Sequence, residues 1–148
     1  MRFDERLRTP WWWYVAALFV AAILAGEFGV ADKALTVWIP FGVLLPGSVV
    51  VVWSMGRARV SVVGDELWVD DAHLPVEVIT GAAALDAATL RRLVGRHGDP
   101  AAYVAIRAWV GPGIQIILDD PEDPTPYWVI STRRPEELIE VLRSPAPA

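Results

Sequence analysis

Cysteine is absent from this sequence of 148 residues, and histidine occurs only twice. The lack of cysteine excludes disulfide bonds, thiolate nucleophiles and cysteine-based metal sites. It gives no information on the compartment, because a chain without cysteine tolerates either redox state. His73 and His97 each lie beside turn residues, which favours solvated loop side chains over metal ligands or a general base. The chemistry open to this chain is therefore narrow.

Charge is also absent from Ala34 to Met55, a run of 22 residues. A helix rises 1.5 Å per residue, so about 20 apolar residues cross a hydrocarbon core of about 30 Å. Another apolar run precedes this one. We therefore predict an α+β membrane protein in which residues 1–56 form a transmembrane hairpin of two helices, at about 10–31 and about 34–55.

Aromatic residues cluster at the ends of both apolar runs. Their rings are apolar and their N–H or O–H groups are polar, so they prefer the boundary between membrane and water. Thr9 and Pro10 suit the N-cap and first position of the first helix. The predicted membrane-interface anchors are Trp11, Trp12, Trp13, Tyr14, Trp38 and Trp53.

The second run contains Pro40 and Pro46, which remove helical hydrogen bonds and kink a helix. Its small residues Gly42, Gly47 and Ser48 are predicted to pack against the first helix. A broken helix around a transport site is an alternative. Two helices cannot enclose a pathway, so this alternative requires oligomerisation, and a homo-oligomer is compatible with the sequence.

The first apolar run has a competing interpretation as a signal peptide, because it follows a basic segment. Three tryptophans at its start and a second long apolar run after it favour a membrane helix. Glu27 near its end is either a functional carboxylate inside the membrane or an interfacial loop residue. Its closeness to Asp32 and Lys33 favours the interfacial interpretation.

Basic residues predict the orientation of the hairpin. Three arginines lie within residues 1–8 and two more at positions 57 and 59, whereas Lys33 alone lies between the helices. The positive-inside rule then places both termini in the cytoplasm of a multi-pass plasma-membrane protein. Residues 57–148 carry 9 basic and 14 acidic side chains. That excess of acid argues against nucleic acid as a partner and against electrostatic attachment to anionic lipid.

Residues 57–143 are predicted to form a small antiparallel β-sheet, a partly open barrel, capped by a C-terminal helix. Short apolar runs alternate with turn residues, which is typical of strands. Residues 144–148 are expected to be a disordered tail. The predicted elements are a hairpin at 60–69, a strand at 74–79, a helix at 85–94, a hairpin of 103–110 and 113–118 around Gly111-Pro112, a strand at 127–131 and a helix at 135–143.

No pattern of residues typical of an enzyme stands out. A divalent cation could bind the acidic cluster of Asp119, Asp120, Glu122 and Asp123, but its spacing does not match an EF-hand loop. We therefore predict no catalytic residue, no cofactor and no metal. Side chains suited to contact a protein partner or a lipid headgroup are Trp109, Tyr127, Trp128, Arg133 and Arg134.

Two stretches resemble a known family. Glu5-Arg6-Leu7, followed by Pro10-Trp11-Trp12-Trp13-Tyr14, precedes the first apolar run, and the sequence ISTRRPEEL occupies Ile130–Leu138. Together they resemble the DUF3093 family of small membrane proteins from high-GC Gram-positive bacteria, for which no established function can be carried over. The part after the second helix also resembles a bacterial pleckstrin-homology-like domain. That second resemblance implies a bent sheet of about seven strands and one C-terminal helix.

The expected function is that of a membrane-anchored, non-enzymatic interaction module, bound to the lipid bilayer and to a protein partner at the cytoplasmic face. An exposed aromatic patch at Trp109, Tyr127 or Trp128 would favour it. One alternative is an accessory subunit of a transport or cell-envelope complex that acts through its helices. Another is a metal-dependent hydrolase, which would require carboxylates that converge in a pocket.

Overall fold

The computed structural model describes residues 2–29, 38–95, 98–120 and 123–144. The chain divides into two compact units. Met1–Leu7 and Ala58–Ala148 form what we call the sheet unit, and Arg8–Arg57 form the helical unit. The mixed α+β class is confirmed. The predicted boundary at residue 56 is wrong at the start of the chain, because residues before Arg8 belong to the sheet unit.

The helical unit contains α1 (Trp11–Gly29) and α2 (Trp38–Met55). The two helices pack together. The hydroxyl of Thr9, just before α1, donates to the carbonyl of Val52 near the end of α2 at 3.1 Å. The helices therefore run antiparallel. The predicted connection between them, like the predicted helix ends at 31 and 34, lies outside the described residues.

The first sheet is an antiparallel meander. The predicted hairpin at 60–69 is confirmed, and Gly64 at its turn has a φ of 60°, which glycine adopts without strain. Residues 3–6, predicted to precede a membrane helix, instead form an edge strand paired with residues 59–62. In spatial order the strands are β1 (Phe3–Arg6), β2 (Arg59–Val63), β3 (Glu66–Val69) and β4 (Ala72–Pro75).

The second sheet corrects two predictions. Residues 103–110 and 113–118 do not form a hairpin, because β8 lies between their strands and pairs in parallel with β6. The sheet is therefore mixed, and the described residues form two sheets instead of one antiparallel sheet. Its strands in spatial order are β5 (Ile79–Leu85), β7 (Gly113–Leu118), β8 (Tyr127–Ser131) and β6 (Tyr103–Ala105).

Two helices belong to the sheet unit. Asp86 caps α3 (Ala87–Val94) by accepting from the Thr89 amide at 2.7 Å, and this bond lowers the pKa of Asp86. The bounds predicted for α4 (Pro135–Arg143) are confirmed, with Pro135 in its first turn. The strand predicted at 74–79 is divided by a 3₁₀ turn at Val76–Val78 between β4 and β5.

One hydrophobic core joins both sheets and α4, and a smaller cluster of Leu85, Leu90 and Val129 lies under α3. The second sheet thus buries both faces of β8, which explains why nearly every residue of that strand is apolar. The fully buried residues of the main core include Val62, Leu67, Ile114, Ile116, Ile130 and Leu138.

Candidate functional site

The two stretches that carry the family resemblance meet in the sheet unit around Glu5. This residue is only 7% exposed. Its carboxylate accepts from the Thr132 hydroxyl at 2.5 Å and from the Arg133 amide at 3.1 Å. The Thr132 hydroxyl also accepts from the Arg134 amide at 3.1 Å. Glu5 therefore ties β1 to the turn that begins α4.

Arg134 strengthens the same connection. Its guanidinium contacts the Glu137 carboxylate at 2.9 and 3.0 Å and donates to the Asp4 carbonyl at 2.8 Å. It also lies over the Phe3 ring, 4.7 Å from the ring centroid. These contacts engage the guanidinium that was predicted to meet a partner or a headgroup, so its role in the structure is to hold β1 and α4 together.

The three aromatic residues predicted to contact a partner are each engaged within the sheet unit, two by hydrogen bonds and one by a ring contact. The Trp109 indole donates to the Leu7 carbonyl at 3.1 Å, and the Tyr127 hydroxyl accepts from the Asp99 amide at 2.9 Å. Trp128 is buried, with its ring 4.2 Å from that of Tyr103. Trp109 and Tyr127 are half-buried. These residues form no exposed aromatic patch within the described chain.

The outer face of the first sheet carries charged and aromatic side chains that sequence reasoning missed. Arg59 on β2 contacts the Asp4 carboxylate at 2.6 Å, and this contact lowers the pKa of Asp4. Trp68 stacks on the directly opposite His73 with a centroid distance of 4.9 Å. The alternation of β3 could have indicated this face, because Leu67 and Val69 point into the core.

The acidic loop does not assemble a metal site among the described residues. Asp123 accepts from the Thr125 amide at 2.9 Å and from the Thr125 hydroxyl at 2.6 Å. These hydrogen bonds lower the pKa of Asp123 and stabilise a local turn. No group of three His, Asp or Glu residues in the described ranges is placed to hold a metal ion. Glu122 and His97 lie outside those ranges.

Of the three residues of α2 that were predicted to pack against α1, the two glycines are open and the serine is half-buried. A Cβ built on Gly42 or Gly47 meets no described atom within 4 Å, so their predicted role in packing against α1 is wrong. Ser48 is half-buried, and its hydroxyl donates to the Leu45 carbonyl at 2.8 Å. A close contact instead occurs at Gly56, where a Cβ would lie 2.5 Å from the Thr9 hydroxyl oxygen.

The packing face of α1 is made of alanines. Ala21 and Ala25 are buried, one helical turn apart, and a small side chain at such positions lets helices approach closely. Gly42 and Gly47 look like packing residues in the sequence, but α2 turns them outward. Sequence patterns could have indicated the alanines through their spacing of four residues.

Large apolar side chains cover the outside of the helical unit. Trp11 is 77% exposed and Trp38 is 73% exposed, whereas Trp13 and Tyr14 are half-buried. Glu27 is exposed. The Arg57 guanidinium lies 5.1 Å from the Trp53 ring centroid. Other exposed apolar side chains are Val15, Phe19, Val20, Ile23, Leu24, Ile39, Val43, Val50 and Val51.

Within the described residues, α2 is the one helix that is long and apolar enough to cross a membrane. The apolar stretch that counts for α1, Trp11–Glu27, falls short of the length required. Membrane association is thus indicated by length and composition for one helix.

No curated protein and no solved structure matches this chain. The resemblance to pleckstrin-homology-like domains is therefore not confirmed. The sequence does match the family described as "Protein of unknown function (DUF3093)" over residues 2–142, a range that contains both stretches joined by Glu5. The chain belongs to the DUF3093 family.

Proposed function

We propose that α1 and α2 anchor this protein in a membrane as a two-pass hairpin and that the sheet unit is a non-enzymatic docking module on the cytoplasmic side. The pairing of β1 with β2 carries the first part of the proposal. β1 precedes α1, β2 follows α2, and the two strands share one sheet. A sheet with open edges cannot lie in hydrocarbon, so both strands must be on the same side of the membrane. If α2 crosses the membrane, the chain between β1 and α2 must cross it as well to return β2 to the side of β1. In that part of the chain, α1 is the apolar helix.

The surface of the helical unit supports the same arrangement. A helix that is apolar on all sides is either buried in a large protein or surrounded by lipid. The valines and leucines on the outer faces of α1 and α2 have no covering among the described residues of their unit. Exposing such a surface to water would be unfavourable by about 25 cal/mol for each Å² of apolar area. Lipid provides the apolar surroundings that these faces need.

The orientation is proposed from basic residues close to the helices in the chain. Arg8 lies three residues before α1, and Arg57 lies two residues after α2. Arginines near the ends of membrane helices favour the cytoplasmic side. Trp53 and Arg57 stack at that end of α2, which suits the headgroup region.

The docking role is proposed from the contacts that hold the sheet unit together. The polar side chains shared by the two family stretches tie β1, the turn before α4 and α4 to one another. These contacts hold the unit together as a scaffold, and binding residues commonly lie on the surfaces that such a scaffold positions. Bound to a membrane hairpin, such a scaffold would hold a partner at the cytoplasmic face.

The test is affinity purification of the full chain from native membranes in mild detergent, followed by mass spectrometry. The control is a variant that ends at Arg57 and retains the helical unit. We expect a stoichiometric partner that is lost with the truncation. A partner retained by the helical unit alone, or no stoichiometric partner with either protein, would contradict a docking role for the sheet unit.

A second candidate function is that of an accessory subunit in a transport or cell-envelope complex, acting through its helices. The open faces of Gly42 and Gly47 favour it, because small residues allow another helix to approach closely. For this candidate, Gly42→Leu and Gly47→Leu would release the partner, whereas the truncated variant would retain it.

A further inference from the structure

β5 is an edge strand with little of the protection that is usual at an edge: its register shifts between Ile79 and Gly81, and from Gly81 to Leu85 it pairs regularly with β7. It lies at the end of the second sheet, and its described backbone pairs only with β7. Its sequence, ITGAAAL, contains neither charge nor proline over seven residues. Protein edges are normally short, charged, proline-containing or covered, because open edges pair with other chains. β5 is thus competent to receive an added strand.

The other described edges are protected. Arg134 donates to the backbone of β1, and the turn at Thr132 lies against the same strand through Glu5. β4 has four residues and ends at Pro75, and β6 has three residues. Among the described strands, the regular part of β5, Gly81–Leu85, is therefore the longest edge without charge or proline.

An open groove lies between β5 and α4. Ala82 and Ala84 line it on the strand side, and Ile139 lines it on the helix side. The small alanine side chains leave a volume of about 480 Å³. A strand added beside β5 would direct every second side chain toward α4, because side chains alternate along a strand. The groove has room at those positions for the aliphatic stems of Lys or Arg, whose charged ends would reach its rim.

The rim of the groove is acidic. Glu136 and Glu140 line it from α4 together with Arg143, whereas Glu137 is paired with Arg134. Beside the groove, Arg2 donates to the carbonyls of Val141 and Ser144 and lies 3.9 Å from the Asp65 carboxylate. No ion pair links Glu136 or Glu140 to another described residue. Residues 58–148 carry 8 basic and 14 acidic side chains, so the net charge of this part of the sheet unit has the same sign as the two glutamates at the rim. Complementary charge on an occupant is therefore positive.

This charge argues against a second copy as the occupant. Two copies paired through β5 in antiparallel fashion would each bring Glu136 and Glu140 to the same face of the joined sheet. Like charges that approach at an interface are unfavourable. It also argues against an anionic membrane surface.

We infer that the β5 edge and the groove beside α4 bind an extended basic segment of a partner protein as an added strand, with Lys or Arg at the alternate positions that face α4 and apolar residues between them. The inference rests on the proposed docking function and assigns it to one surface. Backbone hydrogen bonds to β5 would supply affinity, and Glu136 and Glu140 would select basic sequences.

The test uses the full chain in nanodiscs of neutral lipid and two fluorescent ten-residue peptides, one of alternating valine and lysine and one of alternating valine and glutamate. Binding is measured by fluorescence anisotropy. We expect the lysine peptide to bind at least about tenfold more tightly than the glutamate peptide. Hydrogen exchange should show new protection of amides in β5. Equal binding of both peptides, or protection elsewhere, would overturn the inference.

Two variants locate the site. Ala84→Trp fills the groove, and the double variant Glu136→Lys, Glu140→Lys reverses the charge of its rim. Both should weaken binding of the lysine peptide by about tenfold or more. The matched control, Glu66→Lys with Asp71→Lys, changes net charge equally at exposed positions in the segment of the first sheet and should leave binding unchanged. Circular dichroism checks that each variant is folded. If the control variant loses as much binding of the lysine peptide, net charge alone explains the effect, and the assignment of the site to the β5 groove is wrong.

The same variants separate this inference from the proposed function. If the affinity purification yields a partner that requires the sheet unit but is retained by Ala84→Trp and by the charge reversal, docking stands and the β5 site is wrong. If the full chain dimerises with increasing concentration, and Ala84→Trp abolishes the dimer, the occupant is a second copy and the basic peptide is wrong.

Discussion

Glu5 shows how one buried carboxylate can organise a distant turn. It lies on β1, and its two oxygens receive hydrogen bonds from Thr132 and Arg133, more than 120 positions later in the chain. A carboxylate with satisfied oxygens is compatible with burial, whereas its removal leaves buried donors without acceptors. The sequence draws attention to the side chains of Arg133 and Arg134, but Glu5 binds the backbone amide of Arg133.

We predict that Glu5→Leu lowers the free energy of unfolding of the sheet unit by about 1–3 kcal/mol, because the Thr132 hydroxyl and the Arg133 amide lose their acceptor. Thermal unfolding of the full chain in detergent, followed by circular dichroism, measures the change. Glu5→Gln is the matched control and should lose less, since its amide oxygen can still accept. Equal losses for both variants would contradict an acceptor role.

The ion pair between Asp4 and Arg59 gives a prediction about pH. The contact lowers the pKa of Asp4 in the folded protein, so the pair stabilises the fold above the ordinary pKa of aspartate. This contribution disappears as the pH falls through the lowered value. Wild type should therefore be more stable than Asp4→Asn at pH 6, and the difference should shrink in acid and vanish once the pH is below the lowered pKa of Asp4. A difference that persists unchanged in acid would show that charge on Asp4 plays no part.

At the scale of elements, sequence patterns correctly predicted the helices and turns that are determined by neighbouring residues. Pro135, the two glutamates after it and the leucine stripe determine α4 within its own segment, and its bounds are confirmed. The hairpin of β2 and β3 has a turn glycine between two short apolar strands, so it too is a local structure.

Elements that depend on distant partners were not predictable in this way. β1 reads FDER, with three charged residues in four, and its partner strand lies more than 50 positions away. The turn after β6 forms because the Arg107 amide donates to the Ser131 hydroxyl and the Val110 amide to the Arg107 carbonyl. An alternating sequence continues through that turn, so its pattern wrongly predicts a longer strand and a hairpin.

The contact between α1 and α2 supplies another test. Gly56→Ala would place a methyl group 2.5 Å from the Thr9 hydroxyl oxygen, which must then move away from Val52. We expect a loss of about 1–3 kcal/mol in stability of the helical unit, typical of overpacking. Gly47→Ala is the matched control, because its added methyl group meets no described atom. Thermal unfolding in detergent compares the two, and similar losses would contradict the assigned contact.

At the scale of the whole molecule, the candidate site was less predictable than the fold class. Trp109, Tyr127 and Trp128 are suitable residue types for a binding surface, but the fold engages the polar atoms of the first two and the ring of the third internally. The edge of β5 was hidden in the sequence because alanines and a glycine lack a marked β pattern, and because edge position depends on the order of the whole sheet. The residues of β5 can be read from the sequence, but its position at the end of the sheet can be read only from the strand order.

The membrane topology of the hairpin can be tested directly with single introduced cysteines, because the protein has no cysteine of its own. Single cysteines introduced by Ser144→Cys and Asp32→Cys report the two sides of the membrane, read out with a membrane-impermeant maleimide on intact cells and on inside-out vesicles. A hairpin with a cytoplasmic sheet unit predicts that Ser144→Cys is labelled only in inside-out vesicles and Asp32→Cys only in intact cells. Labelling of both positions from one side would contradict the account.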